Sequence, residues 1–256
     1  MPEPLRVAVV GVGRIGRFHA QHVQELAAER GDVRLVAVAD RHEPGSGAAI
    51  ERLRSHQSDP IAAFQSVEAL VASGLADAAI VATRTAHHRH DTEALVAAGI
   101  RVLLEKPLAD TFEESEDLCD WLDADPGRSQ AVMLAFQRRY DPAMLAAERL
   151  LHENAIGGLF KIVSVLEDPG PPPPGYQSAG LLVDMGVHNA DEILWLSGTR
   201  PTALAGHGAR LHNQLLPDVA PEVHDDAFVQ MWMGEGMVAQ LQVSRNHVAG
   251  YRNECV

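Results

Sequence analysis

The sequence has little cysteine, no long apolar run and no block of positive charge. Its two cysteines, Cys119 and Cys255, lie far apart among 256 residues and form no CxxC pair. A disulfide framework or a cysteine-ligated zinc site is therefore not expected. No stretch approaches the ~18 consecutive apolar residues of a membrane-spanning helix. A formal net charge of -14 disfavours nucleic acids and membrane surfaces as partners.

What is present is the composition of an ordinary globular protein, with 46% hydrophobic and 22% charged residues. The length is sufficient for two modest domains. The chain enters a strand-like run at Leu5–Val10 without a basic segment and a long apolar stretch before it, so no signal peptide is predicted. With so few cysteines, we expect a reducing, cytoplasmic environment.

A strand, a glycine loop and a helix follow one another at the start of the chain. Leu5–Val10 is typical of a buried strand, and Gly11-Val-Gly-Arg-Ile-Gly16 follows it directly. An amphipathic helix is then predicted to about Arg30. The side of this helix that faces the sheet is predicted to carry Ile15, Phe18, His22 and Leu26.

This context is typical of a dinucleotide-binding loop. Gly11 permits the tight turn, Gly13 lets the backbone approach a pyrophosphate, and Gly16 lets the helix pack on the strand. Arg14 and Ile15 begin the helix, whose N-terminal N–H groups would bind phosphate. The alternative is a glycine-rich turn in another kind of α/β protein.

An acidic residue ends the next predicted strand, at the distance from the glycine loop where dinucleotide-binding domains carry one. Asp40 would accept hydrogen bonds from the adenosine ribose hydroxyls, and its charge would repel a 2′-phosphate. NAD is therefore favoured over NADP. Arg41 is adjacent and could stack on adenine or bind a phosphate; alternatively, it is a solvated surface side chain.

Buried strands alternate with helices through the first half of the chain. Asp77–Thr83 and Ile100–Glu105 are apolar runs separated by a helical stretch. The alternation predicts a doubly wound parallel sheet, a Rossmann domain, over residues 1–128. Between these strands lie His87, His88 and His90, whose spacing could suggest a metal site. Without supporting ligands, we expect no metal, and assign Thr83 and His88 to the cofactor edge instead.

The strand that ends at Glu105-Lys106-Pro107 supplies a charged pair at the same edge. Pro107 cannot donate to a strand ladder, so Glu105 and Lys106 are predicted at the carboxyl end of a central strand. Ligands bind at that edge in open α/β sheets. A surface ion pair is the alternative interpretation.

Residues 129–256 predict a second, α+β domain with a mostly antiparallel open sheet. It includes a helix on which Asp184, His188 and Asp191 share a face with Trp195. A polar stripe of this kind is typical of a helix that lines a cleft. From spacing alone, a satisfied core histidine and N-capping aspartates are the favoured interpretation.

Taken together, these segments resemble the glucose–fructose oxidoreductase/inositol dehydrogenase (Gfo/Idh/MocA) family. The match rests on the glycine loop, Asp40, the Thr83–His88 stretch, Glu105-Lys106-Pro107 and the Asp184-x-Gly186-x-His188-x-x-Asp191 helix. The family usually has proline where Arg84 stands and asparagine where Gln137 stands. Its members also run longer, so we expect the second domain to be incomplete at its C-terminal end.

The resemblance implies hydride transfer between a nicotinamide cofactor and a hydroxyl carbon of a sugar or cyclic polyol. It assigns His188 as general base, Lys106 to alkoxide stabilisation, Asp184 to a neighbouring hydroxyl or to His188, and Glu105 to the cofactor edge. Arg138 and Tyr176 are substrate-binding candidates, with Asn189. It also implies a homodimer or homotetramer formed through the C-terminal sheet.

Three other functions share this fold. The chain could be a non-catalytic, cofactor-sensing regulator, an NAD-dependent glycosidase, or an inactive remnant. A regulator would not need Lys106, Asp184 and His188 together, whereas a glycosidase would release sugar without net reduction of the cofactor. Fold analogy alone does not separate them.

Overall fold

The computed structural model describes residues 3–41, 43–57, 59–170, 180–212 and 224–256. The chain forms two compact units, Met1–Ala135 and Phe136–Val256, and each is described by itself. Within the described ranges, none of the helices has the length and apolar character needed to cross a bilayer. Tyr176, predicted to bind substrate, lies in residues 171–179, outside the described residues.

The first unit is built on a six-stranded parallel sheet with the order β3-β2-β1-β4-β5-β6. This is the order of doubly wound dinucleotide-binding domains, and the predicted fold class is confirmed. The strands are β1 (Leu5–Val10), β2 (Val33–Ala39), β3 (Ala62–Phe64), β4 (Ala78–Val81), β5 (Arg101–Leu104) and β6 (Val132–Leu134). The helices are α1 (Arg14–Arg30), α2 (Glu43–Arg54), α3 (Val67–Ser73), α4 (His88–Ala97), α5 (Phe112–Asp123) and α6 (Pro126–Ala131).

Both faces of this sheet are covered, which explains why its strands are apolar throughout. Successive residues of a strand point to opposite faces. Ala8 and Val10 of β1 pack in one core with side chains of α3, α4 and α5. Val7 and Val9 pack in a second core with side chains of α1 and α2.

The predicted inward side of α1 is wrong. Ile15, Phe18 and Leu26 are 37%, 52% and 41% exposed, and His22 is also exposed. The buried positions are Gly16, Ala20 and Val23. The helix lies so close to the glycine loop that a Cβ on Gly16 would stand 1.7 Å from the carbonyl oxygen of Gly11. Small residues therefore face the sheet, and the large apolar ones face outward.

The second unit contains a five-stranded sheet with the order β11-β7-β10-β9-β8. Its pairs are antiparallel except for the parallel pair of β7 and β10, which confirms the mostly antiparallel prediction. The strands are β7 (Lys161–Glu167), β8 (Pro201–Ala209), β9 (Asp226–Met233), β10 (Val238–Ser244) and β11 (Arg252–Cys255). The helices are α7 (Pro142–His152) and α8 (Val187–Ser197).

Helix α8 packs on one face of this sheet through an apolar core. Ile193 is fully buried there with Ile162 of β7 and Leu241 of β10. A π-helical turn over Leu182–Gly186 precedes α8. A π turn contains more residues than an α turn, and this one carries Asp184 just before the α-helix of His188, Asp191 and Trp195. That these four side chains share a face stays a prediction. Single π turns are frequent at functional sites.

Candidate functional site

The glycine loop has the geometry that a bound pyrophosphate needs. Gly11 adopts φ +85°, and a Cβ there would lie 2.7 Å from the backbone of Thr83. A Cβ on Gly13 would instead meet nothing within 4 Å. Gly13 is the N-cap residue that precedes α1, it offers no capping side chain, and no acidic residue lies in the first turn of the helix. The N-terminal N–H groups, with Arg14 beside them, therefore suit an anion.

Asp40 follows β2 and reaches the glycine loop. Its Oδ2 accepts a hydrogen bond from the Val12 N–H at 2.7 Å. The carboxylate is thus fixed beside the loop, where the fingerprint places the acid that binds the adenosine ribose. The residues present fit NAD on these grounds, and ribose binding by Asp40 stays a prediction.

Arg41 is engaged by a buried carboxylate. Its Nη2 lies 3.1 Å from Oδ1 of Asp91, which is 1% exposed. The second oxygen of Asp91 accepts from the Thr83 hydroxyl at 2.9 Å. Asp91 therefore links the ends of β2 and β4. Contact of Arg41 or Thr83 with the cofactor stays a prediction.

His88 is buried between two strand ends. Its Nδ1 lies 2.8 Å from the carbonyl oxygen of Pro107, and its Nε2 lies 3.2 Å from that of Thr83. Burial lowers the pKa of His88, so the ring is neutral and donates one N–H. The shorter distance favours the Nδ1–H tautomer. In the structure His88 braces the site with an imidazole that is 1% exposed, and its predicted cofactor contact is untested.

Glu105, Lys106 and Pro107 leave β5 at the carboxyl edge of the sheet. The Glu105 N–H donates to the carbonyl of Val81 at 2.9 Å, and the Lys106–Pro107 peptide bond is cis. Glu105 Oε1 lies 2.7 Å from Nε2 of His19. Burial raises the pKa of Glu105, but the hydrogen bonds from His19 and the Lys106 N–H, together with the charges of both residues, outweigh burial and leave that pKa below its usual value.

In the second unit Asp184 forms a buried ion pair. Its Oδ2 lies 2.6 Å from Nη2 of Arg245, with side chains 10% and 5% exposed. Arg245 follows β10, and its N–H donates to the carbonyl of Asp225. Charge pairing inside the unit thus fixes Asp184, a predicted catalytic residue. The sequence reasoning missed Arg245, because no motif marks it.

His188 lies at the first turn of α8 and is half-buried. Its ring meets Phe136 edge to face, with centroids 6.1 Å apart. One turn further, Asp191 is held by Arg139 at 2.7 Å, and the Arg139 guanidinium lies 5.8 Å from the Trp195 ring. The aromatic contact and the neighbouring ion pair fix the helix that carries His188.

Arg138, predicted to bind substrate, makes three contacts within the second unit. Its Nε lies 3.0 Å from Glu192, Nη1 lies 3.4 Å from Asp141, and Nη2 lies 3.4 Å from the sulfur of Met144. The geometry shows Arg138 as a brace for α8, and substrate contact stays a prediction.

Glu192, the partner of Arg138, also lies near Cys255 of β11. Burial and this carboxylate raise the pKa of the Cys255 thiol.

Asn189 was also a substrate candidate, but its side chain is only 2% exposed. Its amide donates to the Ser164 hydroxyl on β7 at 2.7 Å. This contact ties α8 to the sheet.

Together, these features define the class of the protein: an oxidoreductase with an NAD-binding Rossmann domain followed by an α+β domain. A model of the NAD-binding Rossmann fold of an oxidoreductase family matches residues 5–131, and the GFO/IDH/MocA C-terminal domain matches residues 144–256. The chain belongs to the Gfo/Idh/MocA family.

Individual relatives agree with this assignment. The chain is 29% identical over 249 residues to an inositol 2-dehydrogenase of Rhizobium meliloti, covering 96% of this chain and 71% of the relative. It is 31% identical over 251 residues to inositol 2-dehydrogenase 2 of Saccharopolyspora erythraea, covering 96% and 68%. A crystal structure of a myo-inositol dehydrogenase from Corynebacterium glutamicum matches with a TM-score of 0.85 and 26% identity, covering 98% and 72%.

Proposed function

We propose that this protein is an NAD-dependent dehydrogenase that oxidises a hydroxyl carbon of a cyclic polyol of the inositol class. The observation that carries the proposal is the presence of Lys106, Asp184 and His188 in one chain, whose matched relatives are named inositol 2-dehydrogenases. In this proposal residues 1–128 bind the cofactor and residues 129–256 bind the substrate.

The first unit would hold NAD through groups that are already fixed. The N–H groups at the start of α1, with Arg14 and Ile15, would bind the pyrophosphate, and Gly13 would let it approach. Asp40 would accept hydrogen bonds from the ribose hydroxyls. Its carboxylate is unsuited to a 2′-phosphate, and Arg41 is already engaged by Asp91. Both features favour NAD over NADP.

When bound, NAD would supply the redox chemistry of the reaction, as the acceptor of a hydride from the carbinol carbon. The protein moves the proton and stabilises charge. His188 would take the hydroxyl proton, since the unperturbed pKa of a histidine, about 6.5, suits a general base near neutral pH. The Lys106 ammonium would stabilise the alkoxide that forms as the proton leaves.

Asp184 would bind a hydroxyl next to the reacting one. Its Oδ2 is held by Arg245, and each oxygen of a carboxylate can accept more than one hydrogen bond. A polyol offers vicinal hydroxyls, whereas a simple alcohol does not. The arrangement therefore favours a substrate with several adjacent hydroxyls.

The proposal is tested by following NADH formation with purified protein and a panel of inositol isomers, aldoses and sugar acids. We expect reduction of NAD with at least one inositol and a higher kcat/KM than with any aldose. Absence of reduction with every panel member, together with tight NAD binding, would contradict the proposal and favour the cofactor-sensing regulator.

We also propose that the protein forms a homodimer or homotetramer through its C-terminal sheet. Trp232 and Phe228 are 45% and 41% exposed on β9 and alternate with buried Ala227, Met231 and Met233. An exposed apolar face of this kind is typical of an interface. Trp232→Glu is expected to lower the mass measured by light scattering, and an unchanged mass would contradict the proposal.

For localisation we propose the cytoplasm. The support is the scarcity of cysteine, with only two in the sequence. Cell fractionation would test this, and recovery in the soluble cytoplasmic fraction is the expected result.

A further inference from the structure

His19 has no role in the function described so far, yet it contacts the segment that carries Lys106. It lies on α1, and its Nε2 is 2.7 Å from Oε1 of Glu105, 86 residues away in the sequence. The two side chains are 21% and 18% exposed. The pair is thus mostly buried at the carboxyl edge of the sheet, where ligands bind in this class of fold.

The Glu105 carboxylate contacts two parts of the site at once. Oε1 meets His19, and Oε2 accepts the backbone N–H of Lys106 at 3.2 Å. His19 is itself well fixed, because α1 packs tightly on the glycine loop through Gly16. The carboxylate therefore connects the phosphate-binding helix to the first peptide of the Glu105–Pro107 segment.

We propose that His19 is a positioning residue that holds Glu105 and, through the Lys106 amide, sets the place of Lys106. The inference rests on the proposed function for the role of Lys106 in turnover. The contact between His19, Glu105 and the Lys106 amide does not depend on that function. A neutral His19 with its proton on Nε2 is sufficient to donate to Glu105, and protonation of the ring strengthens the contact.

The same unit contains a second ion pair, Arg6–Asp77, which only joins two strands and can be compared with the His19–Glu105 pair. Arg6 and Asp77 lie at the opposite, amino edge of the sheet with side chains 33% and 41% exposed. That pair joins β1 to the start of β4. The His19–Glu105 pair is more buried, and it includes the amide of a residue assigned to the reaction.

The kinetic test compares His19→Ala with His19→Gln and with His22→Ala. His22 lies one turn along α1 and is exposed, so its removal is the matched control. We expect His19→Ala to lower kcat by about 10- to 100-fold, because a small misplacement of a reacting group has effects of that size. We expect NAD affinity to change less than kcat. His19→Gln keeps an N–H donor and should recover most of the loss.

A second measurement needs no turnover. Hydrogen exchange of the Lys106 amide, followed by NMR in the full chain, should accelerate at least about 10-fold in His19→Ala and in Glu105→Gln, since local opening governs exchange. The Val102 amide within β5 should be unchanged.

The outcomes separate the two proposals. If the wild type reduces no NAD with any polyol, the proposed function fails, and the exchange data still decide the role of His19. Unchanged exchange at Lys106 in His19→Ala would overturn the inference. Equal losses of kcat in His19→Ala and His19→Gln, or an equal loss in His22→Ala, would also overturn it.

Discussion

The polar groups of the two units are held in place by different means. In the first unit, Asp40, His88 and Glu105 contact backbone groups of the glycine loop and of neighbouring strand ends. In the second unit, the buried carboxylates of Asp184, Asp191 and Glu192 each pair with an arginine from another element. Each member of the first set has a backbone partner, with His19 as a further partner of Glu105, whereas the members of the second set are held by arginines.

This difference fits what each region is proposed to bind. A pyrophosphate is recognised by backbone N–H groups, so a loop fixed by close glycine contacts is suited to it. A polyol offers only hydroxyl groups, which charged and polar side chains recognise well. Buried carboxylates need partners to remain charged, and the arginines supply them. Substitutions should therefore act differently in the two units.

Removal of an arginine in the second unit should have the largest effect on stability. Arg245→Ala leaves Asp184 charged and buried, and breaking a buried pair by removing one partner costs about 3–5 kcal/mol. Urea unfolding would measure the loss. Arg30→Ala breaks an exposed pair with Asp32 and serves as the control, for which we expect a change below ~1 kcal/mol. Similar losses in both variants would remove the distinction between the units.

Lys106→Ala should act on turnover and leave the fold intact. Loss of a donor that stabilises a developing oxyanion lowers kcat by about 10²- to 10³-fold. NAD affinity, measured by fluorescence quenching, should be almost unchanged, because the glycine loop and Asp40 remain. Turnover at the wild-type rate in Lys106→Ala would contradict the proposed role of Lys106 in stabilising the alkoxide.

Gly13→Ala tests whether the backbone alone shapes the cofactor site. The new Cβ meets no protein atom within 4 Å, and the φ of -63° suits alanine. The free energy of unfolding should therefore be unchanged. The methyl group would occupy the space through which the pyrophosphate approaches, and we expect NAD affinity to fall about 10- to 100-fold, that is about 1.4–2.7 kcal/mol. Gly47→Ala in α2, where a Cβ also meets nothing, should bind NAD normally.

Gly16→Ala gives the opposite result. Its Cβ would collide with Gly11, so the variant should lose stability as well as NAD binding. If Gly13→Ala and Gly16→Ala were equally stable, the tight packing of α1 on the loop would be refuted.

Asp77→Asn should have the smallest effect and concerns acid stability. The Arg6 side chain and backbone N–H hold the pKa of Asp77 at about 2, below the ordinary value of about 3.9. The pair therefore stabilises the fold fully above about pH 4, and this contribution is lost as pH falls towards 2. The free energy of unfolding should fall less steeply with decreasing pH in Asp77→Asn than in the wild type. An unchanged slope would place the acid sensitivity in the other carboxylates.

The strands and the glycine loop were predictable because local sequence determines them. Val7–Val10 is apolar at every position, as a strand covered on both faces requires, and Asp40 follows the next such run. The orientation of α1 was not predictable from apolar spacing. Close contact with Gly11 excludes bulk at Gly16, and that restriction appears only after the helix is packed on the sheet.

The partners of the site residues were not predictable at all. His19 meets Glu105 across 86 positions, and Asp184 meets Arg245 across 61. Neither contact leaves a periodic pattern, because each depends on how separate elements pack. The π turn that carries Asp184 was likewise not predictable, because the spacing indicated a regular α-helix.

The central claim is that this chain transfers hydride from a polyol carbon to NAD, and isotope transfer tests it most directly. The protein would be incubated with NAD and an inositol that carries deuterium on its ring carbons, and the reduced cofactor analysed by mass spectrometry. The account predicts one deuterium in the reduced cofactor for each inositol oxidised, with transfer much slower in Lys106→Ala. Cofactor bound but never labelled, or labelled equally fast in Lys106→Ala, would contradict it.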